Sequence, residues 1–197
     1  MKIYLLVLLQ IVSLLSYGQI PVIQSNTNVV EQNKSTIQNL FTGQYDLLIA
    51  YSEDCYWWSN KQDYQLLAVK EGKWCKLNVS SRKKKNGDFT KPTITHTRID
   101  NRSGELLLKQ FNEIEFWALD RDSLNITTKQ VNDSVSTNYS LSDGVNYKFE
   151  ILTKESYKII EAYEPEYFLT RLPEFKQRQT FIIARNLYKT IIKDTGT

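Results

Sequence analysis

Val145-Asn146-Tyr147-Lys148-Phe149-Glu150-Ile151-Leu152 alternates residue by residue, with Tyr147, Phe149 and Ile151 on one side and Lys148 and Glu150 on the other. Side chains of a strand point to opposite faces in turn, so this stretch reads as a strand with one face in a core and one towards solvent. Asp143-Gly144 before it is a turn. Thr153 to Ser156 turns the chain back, and Tyr157 to Tyr163 returns as a second strand.

The same pattern extends upstream. Tyr45, Leu47, Ile49 and Tyr51 share one side, while Leu48 and Ala50 occupy the other, which predicts a strand covered on both faces. Tyr64 to Val69, the tight turn Glu71-Gly72 and Lys73 to Ser80 read as a β-hairpin, with Cys75, Leu77 and Val79 on one face. Asn86-Gly87 favours positive φ and separates this hairpin from a strand over Thr93 to Ile99. Ser35 caps a short helix ending at Gly43, and Gly104 to Asn112 is a helix carrying Leu107, Leu108 and Phe111. Glu113 to Leu119 reads as extended, and the β-branched run Leu124 to Lys129 as a strand.

Pro173 suits a first helical position, and Phe175 to Lys193 follows as the longest helix. Phe181, Ala184, Tyr188 and Ile191 form its apolar stripe, widened by Ile183 and Leu187, with Arg178 and Arg185 among the polar positions. The fold class is therefore α+β: an antiparallel sheet of about seven to nine strands with a long C-terminal helix packed on it.

The N-terminus sets the compartment expected. Lys2 precedes the apolar run Ile3 to Leu15, broken only by Gln10 and Ser13, and Ser16-Tyr17-Gly18 supplies small residues before Gln19. That is the layout of a secretory signal peptide, similar to those of bacterial secreted proteins. The run falls short of the roughly 18–20 residues that span a bilayer, so no transmembrane span is expected after cleavage near Gly18; the alternative is a retained N-terminal anchor. Residues 1–18 are thus read as signal, 19–36 as a flexible lead-in and 37–197 as one α+β domain, in a periplasmic or extracellular protein. Loss of Lys2 leaves 24 basic against 22 acidic residues, a net charge of +2. Such balance does not by itself argue for nucleic acid or a membrane surface.

Cys55 and Cys75 are the two cysteines. Export allows them to form a disulfide; the alternative is two buried thiols packing as small hydrophobes. Tyr56, Trp57 and Trp58, with Tyr51 and Trp74, make the densest aromatic group. Adjacent tryptophans cannot share one side of a strand. An outward ring at Tyr56, Trp57, Trp58 or Trp74 would stack on a sugar or a partner protein, oriented by Asp54 and Asn60; the alternative places these rings in the core.

His96 is the single histidine, and no Gly-x-Ser-x-Gly elbow accompanies it. Two cysteines and one histidine at this spacing match no zinc pattern. Asp120-Arg121-Asp122-Ser123-Leu124-Asn125 lacks the glycine and alternating oxygens of a calcium loop, and a hydrogen-bonded turn accounts for it. No metal or cofactor is expected. Arg82-Lys83-Lys84-Lys85 is either an anion grip or a solvated hairpin tip. The function expected is non-catalytic: binding of an envelope protein or glycan around residues 56–58, or a structural accessory role without a ligand. The alternative is an envelope hydrolase using His96 or paired carboxylates such as Glu164/Glu166 and Glu113/Glu115.

Overall fold

The computed structural model describes residues 20–25, 35–55, 60–86 and 88–194. The expected signal 1–18, most of the lead-in and Tyr56-Trp57-Trp58 lie outside the described residues.

Six strands form one antiparallel sheet: β1 (Leu47–Cys55), β2 (Lys61–Lys70), β3 (Lys73–Arg82), β4 (Thr93–Arg98), β7 (Val145–Thr153) and β8 (Tyr157–Tyr163). Their order is β4-β3-β2-β1-β7-β8. A separate two-stranded sheet joins β5 (Thr128–Asn132) to β6 (Val135–Asn138). The helices are α1 (Thr36–Phe41), α2 (Asn101–Glu113), α3 (Arg121–Leu124), α4 (Pro165–Arg171) and α5 (Lys176–Asp194), with a 3₁₀ turn at Phe116–Ala118. The α+β class, the antiparallel sheet and the long C-terminal helix follow the sequence reading. No helix of the described residues is long and apolar enough to cross a membrane.

Register explains the two-sided burial of β1. Leu48 lies opposite Ala68 and Leu152, while Ile49 lies opposite Leu67 and Ile151. The odd-numbered residues of β1 face α2 and α5. There Leu47, Ile49, Leu67, Phe149, Ile151 and Ile160 meet Leu107, Phe111, Phe181 and Tyr188. Phe149 is the hub of this core, its ring centroid 5.0 Å from Tyr51, 5.1 Å from Phe116 and 5.4 Å from Tyr188. Full burial of such a ring contributes about 2–3 kcal/mol. Tyr188 is itself buried, and its hydroxyl donates to the carbonyl of Ile49 at 2.7 Å, with that of Gln65 at 3.0 Å. On the opposite face Leu48, Leu66, Ala68, Leu77 and Val79 pack with Ile37 and Phe41 of α1. Ser35 accepts from the amide of Gln38 as the cap of that helix, and Gly43 has φ +73°.

Several expectations are corrected. Glu150, expected on a solvent face, is fully buried, its charge paired with Lys148 and its Oε2 accepting from the Tyr157 hydroxyl. Glu113 to Leu119 is not extended: Glu115 takes φ +57° and the chain tightens into the 3₁₀ turn. Leu124 closes α3 instead of opening a strand, since Asp120 accepts from the amide of Ser123 and starts a helical turn. Pro165, not Pro173, occupies a first helical turn. On α5, Ile183 is 40% exposed, while Arg178 and Arg185 are buried.

Cys55 and Cys75 are not bonded to each other. Ala68 pairs with both Cys75 and Leu48, so Cys75 lies level with Leu48, seven residues from Cys55 along the strand direction. That is about 23 Å at the rise of a strand, far beyond the roughly 7 Å limit between Cα atoms of a disulfide.

Candidate functional site

The sheet has two unlike ends. One carries the tight turns Glu71-Gly72 and Thr153–Ser156. At the other, β1 stops where β7 begins (Cys55 opposite Val145) and β2 starts where β3 finishes (Lys61 opposite Arg82). The second face is apolar near the first end. Towards the other end it turns polar, where Ser52 opposes Lys148 and Asp54 opposes Asn146.

Above this polar floor lies a cleft of about 540 Å³. Asp54 of β1, Asn146 of β7, and Glu161 and Tyr163 of β8 line the sheet side; Arg121, Asp122 and Asn125 line the other. Alternation brings Asp54, Asn146, Glu161 and Tyr163 to one face. The wall from α3 is tied down by side chains. Arg121 pairs with Glu161 at 2.5 Å, and Asn146 donates to the second oxygen of Glu161 at 3.4 Å. Asn125 donates to the carbonyl of Glu161 at 2.9 Å and accepts from the amide of Tyr163 at 3.1 Å. It thereby occupies the free edge of β8 as another strand would.

Gly144 closes the rim. Its amide donates to the Tyr163 hydroxyl at 2.8 Å, and a Cβ here would sit 2.4 Å from Cγ of Glu164 and 2.6 Å from that hydroxyl. Glu164, with φ +39°, accepts from the amide of Val145 at 2.7 Å.

Deeper along the same face lies a buried polar cluster. Lys148 Nζ is 2.7 Å from Glu150 Oε1, and the Tyr157 hydroxyl donates to Oε2 at 2.6 Å. Gln62 donates to the Tyr64 hydroxyl at 2.8 Å. Burial, with the nearby Glu150 carboxylate, pushes the phenols of Tyr64 and Tyr157 far above their ordinary range, so both stay protonated donors. The Ser52 hydroxyl is buried here without a hydrogen-bond partner among the described residues.

Trp74 is 3% exposed and belongs to the core against α2, so it contributes nothing to a surface. Its ring fills the space beside Gly104. Tyr51 is also a core residue, its hydroxyl bonded to Glu53 at 2.7 Å. Asn60 is exposed, and its carbonyl accepts from the amide of Lys83 at 2.7 Å. His96 is exposed on β4, five inter-strand steps, or about 24 Å, from β8. It therefore cannot work with Asp120, a helix cap, or with Glu164, a strand clamp. Glu166 pairs with Arg185 and Glu113 with Lys109 at 3.9 Å. Among the described residues no group of three or more histidine, cysteine or acidic side chains could hold a metal.

The cleft drew on four segments that sequence reading did not connect. Arg121, Asp122 and Asn125 belong to the segment read from sequence as a hydrogen-bonded turn, while Asn146 was not singled out, the one signal available being an amide beside a strand end. Chemically, the cleft offers carboxylate acceptors at Asp54 and Asp122, donors at Arg121 and Asn146, and a tyrosine. No protein-family model matches this chain, and no curated protein is similar to it.

Proposed function

We propose that the protein is an exported, non-catalytic binding protein that takes a glycan of the cell envelope at the end of the sheet where β1 stops. One observation carries this reading. β1 delivers Asp54 to the cleft wall, and the chain passes through Cys55 directly into Tyr56-Trp57-Trp58. Acceptors and donors side by side suit the hydroxyls of a sugar, and aromatic rings suit its apolar face. Export rests on Lys2, the run Ile3 to Leu15 and Ser16-Tyr17-Gly18.

A glycan array probed with residues 19–197 tests the binding reading. Saccharide binding is expected, lost in Trp57→Ala/Trp58→Ala and in Asp54→Ala/Asn146→Ala. An empty array, or signals that survive both variants, would end it. Export is checked by the mass of the chain recovered outside the cytoplasm, which should begin at or near Gln19.

A further inference from the structure

The segment 82–98 is charged quite unlike the rest of the chain. Arg82, Lys83, Lys84, Lys85, Lys91 and Arg98 oppose the single carboxylate of Asp88, a net charge of +5. The whole chain carries +3, so the remaining residues sum to −2. None of these six cations forms an ion pair among the described residues. Asp88 offsets only one of them, and its carboxylate accepts from the side-chain amide of Asn86 at 2.6 Å.

The segment is also shaped. Thr90 donates its amide to the carbonyl of Arg82 at 2.8 Å, and Lys84 to that of Asp88 at 2.6 Å, so the tip is a built turn. Lys83 bridges to Phe89 across it. β4 then continues along the outer edge of the sheet, exposed at every residue. Ile94 lies opposite Val79, and His96 and Arg98 follow on the same face by alternation. Phe89 is 43% and Ile94 44% exposed. The strip that carries the cations thus also carries two large apolar side chains, each more than two-fifths exposed.

We infer that this tip and edge form a docking surface for a bilayer of anionic phospholipids. Clustered lysines are drawn to the negative surface potential of such a bilayer, and that attraction ends within about a Debye length. Contact then allows Phe89 and Ile94 to leave water for the interface, while the lysine stems lie along the headgroups. A soluble anionic polysaccharide would use the cations but give the two apolar side chains no role. The apolar pair is what favours the membrane.

Co-sedimentation of residues 19–197, which contain every described element, tests this with two vesicle types: phosphatidylcholine alone, and phosphatidylcholine with about one-third phosphatidylglycerol. Binding is expected to the anionic vesicles only, and to fall as salt rises. Lys83→Glu/Lys84→Glu/Lys85→Glu should weaken it roughly a hundredfold. Phe89→Ser/Ile94→Ser should weaken it by about tenfold at low salt. All five side chains are exposed, and circular dichroism confirms that the variants fold; Lys→Gln at the same three lysines is the milder second variant. No anionic preference, or a triple variant that binds like the parent, overturns the inference. So does an unchanged Phe89→Ser/Ile94→Ser variant that soluble dextran sulfate displaces, which would assign the strip to polysaccharide.

Discussion

Trp74 stands where a side chain on residue 104 would have to be: a Cβ at Gly104 would lie 2.1 Å from Cδ2 of the indole. Glycine inside a helix costs about 1 kcal/mol relative to alanine. The chain carries that cost so that α2 can lie flat on β3. The indole is buried and flanked by the sheet, so it has no room to withdraw. Overpacking of this kind costs typically about 1–3 kcal/mol and occasionally more. Gly104→Ala is expected to destabilise the protein by about 2 kcal/mol net despite its better helix propensity, measured by urea denaturation. A gain in stability would mean that the indole moves freely.

Asn125 supplies two hydrogen bonds to the outer edge of β8. Its removal leaves a partly buried amide and carbonyl to find new partners, at about 1–3 kcal/mol. Asn125→Ala should lower the denaturation midpoint and speed hydrogen exchange at the Tyr163 amide, with little change at the centre of β1. Exchange unchanged at Tyr163 would show that the edge is protected by something else.

Two cations of α5 anchor carboxylates elsewhere in the fold. Burial pushes the Glu166 carboxyl up, but the Arg185 guanidinium outweighs it and the group ends below its ordinary value. Glu53 behaves the same way beside Lys189 and the Tyr51 hydroxyl. A carboxylate with a depressed folded pKa contributes stability that is fully present above its unfolded value and lost as pH falls through its folded value. The melting temperature should therefore be level above about pH 5 and decline below it. Glu166→Gln should start lower at neutral pH and decline less steeply. Parallel curves for the two proteins would remove Glu166 from the account.

The two thiols give a direct test of the register. Thiol titration of the denatured, unreduced protein should return both Cys55 and Cys75, and a reducing agent should leave the melting temperature unchanged. In the folded state Cys75 should react slowly, because burial raises its thiol pKa and keeps it protonated. A mass two units below the reduced chain would contradict the placement of these strands.

The sheet was legible wherever apolar residues alternated, because a strand covered by a core cannot hide its period. Val145 to Leu152 and Tyr45 to Tyr51 are legible as strands for that reason, while the solvent face expected at Glu150 is buried. β6 was not legible, since all four of its residues are exposed and no face selects them. Burial of Arg185 follows position and not hydropathy: it stands four residues after Phe181, on the stripe that faces the sheet, and its guanidinium reaches the exposed carboxylate of Glu166. The cleft was illegible for a different reason. Its walls come from residues 54, 121–125, 144–146 and 161–163; the antiparallel register joins the strand residues, and the bonds of Arg121 and Asn125 to β8 add the helix.

The bond from Tyr188 to the carbonyl of Ile49 joins residues 139 positions apart. Until α5 has been synthesised, the central strands have only α2 and Phe116 over their main face, and the aromatic cluster around Phe149 lacks Phe181 and Tyr188. The chain therefore stays open through most of its own translation and closes in a late step. Closure over such separations is slow, and a slow-closing chain remains threadable, able to pass through a narrow pore as an extended polymer before it takes its final shape.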